Sequence, residues 1–476
     1  MGKPFLTWED AKMCFSLFCV VYGIGTLGMP GNYARAGYAW ATLALVFMAT
    51  VNIYATVCMS KVMLVAPKTV KTFGDMGEWC MGTFGRWIAV ISQMLVCVMV
   101  PIVFLVLGGT LLTVLFPESY ADSTWIILMG ISLLPVCLIP NLKEGAGVAA
   151  AGALGTILAD GIALYLLVSN MHGPSAGLST PSPELTFSGV TAVFGNLSLA
   201  YGAGVVIPSL QREHSDPTRM PRVITVTLVL VSVLFLVISI TGVSTVGCQI
   251  PGNLLFAITG TKLGFEASRG GIILAFLFMQ IHITVAFALI LFPAMFIAER
   301  LVLGLHKNAF ALAPADEAAK DAMYASLETP SADAKVEVEA NHVEDKVVAA
   351  YAAPGAYLKA CILRTVMVVV MVIIAIIWKD HFGDLLDFVG ASSTSLSCMI
   401  LPIIFYLKTF RTTLGVPEKA FAILCVLVTS ALAIYVTYTT GKNLFAPAAG
   451  DSSIKFPYCP AEYQKMVYTN TTFYKH

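Results

Sequence analysis

The sequence predicts an all-α polytopic membrane protein with eleven transmembrane helices, built as two five-helix halves of opposite orientation plus one further helix. Three observations predict it. The 476 residues are 58% hydrophobic and only 12% charged, whereas a soluble domain carries roughly 25% charged residues. Eleven stretches approach the length of about 20 mostly apolar residues that a spanning helix needs. Two of those stretches are interrupted in the same way, at equivalent places in the chain. Formal net charge is zero, so no bulk attraction for nucleic acid is expected.

The spans read, in order, as 11–36 (interrupted), 38–60, 87–115, 125–140, 147–170, 187–211 (interrupted), 223–246, 271–298, 361–377, 386–407 and 419–440. The fourth is short and stops at Pro140. Between the second and third, "KTFGDMGEWCMGTFGR" (71–86) mixes four glycines with Asp75, Glu78 and Arg86. Such a mixture predicts an ordered loop with tight turns, with Arg86 holding the mouth of the third span. No P-loop Lys-Ser/Thr follows it, so it is no phosphate cradle. Residues 304–357, as in "ALAPADEAAKDAMYASLETP", are rich in Ala, Pro and acids and poor in large apolar groups. They read as a disordered loop with one short helix around 315–327.

Lys and Arg set the orientation. Arg212, Arg219 and Arg222 cluster on one loop, while the loops 116–124 and 171–186 carry no Lys or Arg. The first loop set is assigned to the cytoplasm, with the N-terminus, and an odd number of spans then puts the C-terminal tail outside or in a lumen. Of eleven cysteines, only Cys248 and Cys459 fall on that exterior side. An oxidising compartment lets two such thiols pair; two free thiols are the alternative. Asn470-Thr471-Thr472 in the same tail is a glycosylation sequon.

The interruptions carry the functional signal. "VYGIGTLGMPGNY" (21–33) places glycines and a proline inside an apolar span, where glycine costs about 1 kcal/mol and proline about 3. Tyr22-Gly23-Ile24-Gly25 recurs as Tyr201-Gly202-Ala203-Gly204, and Pro30 and Pro208 follow at nearly the same offset. Each break opens a five-span block, and five is odd, so the blocks insert with opposite orientation. An unwound turn at mid-membrane exposes N–H and C=O groups that lipid cannot satisfy. Half-helix ends facing such a gap suit a zwitterion, with N–H groups toward a carboxylate and carbonyls toward an ammonium group. Broken helices in the two halves of an inverted repeat are the arrangement of a secondary transporter. Close helix packing by small residues is the plainer explanation of either break alone.

Four pieces, in order along the chain, resemble the amino acid/auxin permease family, within the amino acid–polyamine–organocation group of LeuT-like fold. They are "GIGTLGMPGNYARAGY", "FGDMGEWCMGTFGR", "LAYGAGVVIPSLQREHSDPTRMP" and "IHITVAFALILFPAMFIAER". The resemblance implies a 5+5 inverted repeat over 1–410, with 1–186 as first repeat and 187–410 as second. Residues 411–441 are then an eleventh helix and 442–476 a tail. It also implies amino acid transport coupled to protons, or in some branches to sodium. One departure stands out: many members have an acid between the sixth-span proline and glutamine, where this chain has Ser209.

Physics and resemblance together place the substrate against Gly23, Ile24, Gly25, Thr26, Leu27 and Gly28, with the Thr26 and Leu27 N–H groups toward its carboxylate. Tyr201, Gly202, Ala203 and Gly204 face them, and Phe194 is a candidate aromatic lid or a plain core residue. Asp160 reads as the only acid deep in a span. A carboxyl there is costly and marks an ion path, so Asp160 is the candidate proton carrier, or else a helix-to-helix anchor. His282, the only histidine in a span, would pair with Asp160, bind substrate, gate, or serve structure. Thr284 is a weaker coupling candidate, and Glu299 and Arg300 anchor the end of the eighth span. With no other charge near the breaks, neutral amino acids are the expected substrates. No nucleophile, metal cluster or cofactor motif accompanies these residues, so an enzyme is not expected. A sensor with little flux remains the alternative, and the membrane is the plasma membrane or that of a vacuole or lysosome.

Overall fold

The computed structural model describes residues 4–67, 69–140, 146–170, 180–259, 263, 267–305, 351, 353–446, 454–465 and 467. The expected disorder and short helix within 306–350, and the sequon at Asn470, lie outside them. The described chain is helical: α1 (Trp8–Val21), α2 (Met29–Val65), α3 (Phe73–Leu115), α4 (Asp122–Leu138), α5 (Ala146–Asn170), α6 (Phe187–Ala200) and α7 (Ile207–Glu213) are followed by α8 (Met220–Ser244) and α9 (Arg269–Ala298). Then come α10 (Ala356–Ile377), α11 (Phe382–Val389), α12 (Leu401–Thr409) and α13 (Val416–Phe445).

Among the described residues, nine helical runs are long and apolar enough to cross a membrane, and Asp122–Leu138 is a shorter apolar helix. The run Ile24–Val65 holds the second half of the first predicted span and all of the second. They meet at Gly37, whose φ of 69° is open to glycine and strained for other residues. Contacts show that the chain comes back there. Asp10 touches Arg219, Arg35 near the kink meets Asp387, and by Ala66 the chain again lies beside Arg212, next to the Arg219 end. These contacts define two ends of the bundle, called below the Asp10 face and the Cys248 face.

The stretch 71–86 differs from the expected loop. Thr72 and Asp75 form a reciprocal capping box, which starts a helix at Phe73 that runs on into the third span across a kink at Gly82 (φ 67°). Arg86 pairs with Glu78. Gly77 and Gly85 are pressed together, so that a Cβ on Gly77 would lie 2.3 Å from the Gly85 carbonyl oxygen. Glycine there serves helix-on-helix contact rather than turn formation.

The core is one continuous apolar cluster through the middle of the bundle. In it α2 packs on α8 and α6, α5 on α9, and α3 on α9 and α4. Outward faces carry large apolar residues such as Leu43, Val46, Ile131, Ile362 and Leu427. Apolar side chains exposed all around a bundle fit lipid as the solvent. Both broken helices lie inside this cluster.

Candidate functional site

The first break begins where Tyr22 leaves helical geometry (φ −83°, ψ 89°) and Gly23 is extended (φ −144°, ψ −149°). A 3-10 turn, Ile24–Gly28, follows, and α2 starts at Met29 with Pro30 in its first turn. The second break has the same order: α6 ends at Ala200, a 3-10 turn spans Gly204–Val206, and α7 restarts with Pro208 in its first turn. Proline lacks an N–H and has its φ preset, so it suits the first turn of a helix. The two prolines therefore begin the second half-helices.

The breaks touch. A Cβ on Gly25 would lie 2.6 Å from the Ala200 Cβ, one on Gly28 would meet the Asn196 amide, and one on Gly204 would lie 2.8 Å from the Cys398 Cα. Asn32 Nδ2 donates to Asn196 Oδ1 (2.7 Å) and ties the restart of the first break to α6. The repeated tyrosines converge on one ring. Tyr22 and Tyr201 both pack on Phe235 of α8, at centroid distances of 6.3 and 5.3 Å. Their hydroxyls diverge: Tyr22 donates to Asp160 (3.2 Å), and Tyr201 is bonded to Ser232. Thr26 departs from the expected role, because both its N–H and its hydroxyl donate to the Gly23 carbonyl (3.0 Å each). Both bonds complete the turn of the break.

Asp160 and His282 flank the first break separately. Asp160 is buried on α5, with Oδ2 bonded to Tyr22 and Oδ1 without a partner. His282 is buried on α9, bonded through Nδ1 to the Gly152 carbonyl (3.1 Å). A carbonyl only accepts, so Nδ1 carries the proton and, in the neutral ring, Nε2 presents a lone pair. Nε2 has no partner and lies 3.2 Å from where a Gly23 Cβ would be. Of the roles weighed for His282, pairing with Asp160 is not what the structure shows. Thr284 is not brought to the site. It sits on the exposed face of α9 and its hydroxyl is spent on the Gln280 carbonyl (2.8 Å). Phe194 is buried in the core on α6 and pairs with no aromatic ring among the described residues.

Three features escaped the sequence reading. Asp160 is not the only buried acid in a span: Asp387 pairs with Arg35 (2.5 Å), and Glu299, read from the sequence as an anchor, pairs with Arg364 (2.6 Å). The Arg35–Asp387 pair crosses from α2 to α11 on the Cys248 side of the breaks, and Arg35 also holds Asn32 and the Ala192 carbonyl. Asp387 was hidden because the tenth span starts at Phe382, a turn before the predicted 386. Second, two π-helical turns, Gly390–Thr394 and Leu396–Ile400, sit against the second break. π turns are frequent at functional sites, and the signal in the sequence was the small polar run "ASSTSLSC". Third, the Asp10 face carries a polar lock. Asp10, capped by Thr7, binds Arg219 (2.6 Å) and His214 (3.0 Å). Burial alone would raise the Asp10 carboxyl, but hydrogen bonds from Arg219, the Thr7 backbone and His214 outweigh it and hold the group well below the usual carboxylate range. Its signal was the capping pattern Thr7-x-x-Asp10 just before the first apolar run.

Cys248 and Cys459 form a disulfide with Cα atoms 5.4 Å apart, on the face opposite Asp10.

Among known proteins, the chain is 21% identical over 447 residues to the amino acid transporter AVT1J of Arabidopsis thaliana, covering 91% of each chain. It is 21% identical to AVT3A of the same plant, over 93% of this chain and 91% of that one. The match to a third, AVT1I, is 24% identical and spans 50% of this chain and 60% of that protein. Among solved structures, a manganese transporter of Eremococcus coleocola matches over 94% of this chain and 90% of that one, with a TM-score of 0.50 and 11% identity, which speaks to the fold alone. The family model described as "Transmembrane amino acid transporter protein" matches residues 10–441. With its two touching helix breaks in a LeuT-like all-helical bundle, this chain belongs to the transmembrane amino acid transporter family.

Proposed function

We propose that the chain is a secondary active transporter that moves neutral amino acids by proton-coupled symport through alternating access. The observation that carries the reading is the pair of matching helix breaks, in contact with each other, with the unpaired Asp160 oxygen beside the first. Separation of the breaks would bare the half-helix ends to a zwitterion, carboxylate to N–H and ammonium to carbonyl. Gly23, Ile24, Gly25, Thr26, Leu27 and Gly28 then face Tyr201, Gly202, Ala203 and Gly204 across the substrate. Asp160 carries the proton, and His282 flanks the first break separately, beside Gly23. The Arg35–Asp387 pair neutralises itself, which leaves no spare charge for a charged substrate side chain and supports neutral cargo.

Two closures frame the site. Arg35–Asp387 bars one route and the Asp10–Arg219–His214 lock the other, so alternating access opens one while the other holds. The disulfide supports an exterior or lumenal Cys248 face and a cytoplasmic N-terminus, since disulfides persist in oxidising compartments.

Uptake of a panel of labelled amino acids into vesicles, with pH and sodium gradients imposed separately, tests this. Accumulation of neutral amino acids driven by the proton gradient is the expected result. Accumulation that needs sodium overturns the coupling, and binding without flux overturns transport in favour of a sensor.

A further inference from the structure

The end of the chain folds back onto the Cys248 face. Residues 455–464 close on themselves: the Lys455 and Phe456 N–H groups both donate to the Gln464 carbonyl (2.9 and 3.0 Å), and Gln464 Nε2 donates to the Cys459 carbonyl (3.0 Å). Phe456 and Cys459 are buried, so the small loop is packed down and not splayed into solvent. Its anchors belong to separate parts of the bundle. Cys459 is bonded to Cys248, just past α8. Gln249 Nε2 donates to the Tyr463 carbonyl (2.9 Å). The Glu184 N–H, just before α6, donates to the Tyr458 carbonyl (2.9 Å), and the Cys248 N–H donates to the Pro181 carbonyl (2.9 Å). Tyr458 lies close enough to the Arg35 guanidinium to act on its charge, and Arg35 is the group that pairs with Asp387.

We propose that residues 454–465 form a strap that holds the Cys248 face shut over the Arg35–Asp387 pair, and that the Cys248–Cys459 bond sets how readily that face opens. Segments 181–184 and 247–249 and the Arg35 end of α2 must move apart for a path to reach the breaks from this side. One covalent and several hydrogen-bonded ties now bridge all three. The strap lies over the closing ion pair, which sets it apart from a staple that adds stability to the whole fold. Its consequence for uptake rests on the transport reading above; its effect on opening does not.

Hydrogen exchange on the purified full-length chain without substrate tests it. In Cys459→Ser, amides of 29–36 and 382–389 should exchange about fivefold faster or more, while those of 8–14 and 220–226 at the Asp10 lock keep their rates. Tyr458→Phe and Gln249→Leu, which keep the disulfide, should give smaller increases in the same segments. These two carry the test if Cys459→Ser fails to fold. Unchanged exchange at 29–36 and 382–389 overturns the strap, and so does a uniform rise over the whole chain. Uptake of labelled amino acid from the Cys248 side should be faster in Cys459→Ser. If gate exchange rises but the unmodified protein moves no amino acid, the strap stands and the transport reading falls.

Discussion

At the scale of single residues, the chemistry gathers where a helix gives up its own hydrogen bonds. Asp160 and His282 each keep one polar atom unsatisfied beside the first break, a costly state for a buried group. Asp160→Asn should abolish accumulation driven by a pH gradient while sparing exchange of labelled for unlabelled amino acid across the same vesicles. Unchanged gradient-driven accumulation would refute the proton role. Tyr22→Phe removes the Tyr22 hydroxyl bond to Asp160 and should cost about 1.5–3 kcal/mol, read as a lowered midpoint in thermal unfolding, with accumulation reduced but not lost. Asp160 was legible because an acid in an apolar span is conspicuous. Thr284 was not placeable, because α9 is apolar on every side and no periodic pattern says which face looks inward.

At the scale of elements, two half-helices meet backbone to backbone. Gly25→Ala drives a methyl group into Ala200 and should cost about 1–3 kcal/mol in stability, together with loss of amino acid binding in a calorimeter or scintillation assay. Adding Ala200→Gly should recover most of both, since residues in contact do not add independently. Arg35→Ala leaves Asp387 buried without its partner, a change that costs about 3–5 kcal/mol in comparable buried pairs. Asp387→Asn should be milder than Arg35→Ala by the same thermal measurement. The breaks could be read from sequence because Tyr-Gly-x-Gly and a following proline are rare inside spans and occur twice. The π turns of 390–400 could not, since each serine or threonine hydroxyl there bonds back to its own helix and disturbs no apolar pattern.

At the scale of the whole molecule, the bundle is tied at both ends by different means: ionic at the Asp10 face, and ionic plus covalent at the other. The Asp10 carboxyl is depressed in the folded protein, so its contribution to stability is fully present above its unfolded value of about 4 and fades only as pH falls through the lower folded value. Asp10→Asn should therefore destabilise the protein equally at pH 8 and pH 5.5, as measured by thermal unfolding in detergent. Phe5→Cys should react with an impermeant maleimide only after the cells are permeabilised; labelling of that position in intact cells would reverse the assigned orientation. That the chain is a bundle of long apolar helices was legible from composition and length. The ties between ends were not, because Arg35 and Asp387 lie 352 positions apart and nothing local marks them as partners.

The fit of Gly25 against Ala200 also bears on how chains of this kind diversify. Where backbone meets backbone, a larger side chain has nowhere to go, so the floor of the proposed site is closed to variation in size. Changes in cargo preference have to be written into the surrounding walls, such as the "ASSTSLSC" stretch and the face of α3 beside it. Relatives with different appetites should keep the glycines and exchange the small polar residues around them.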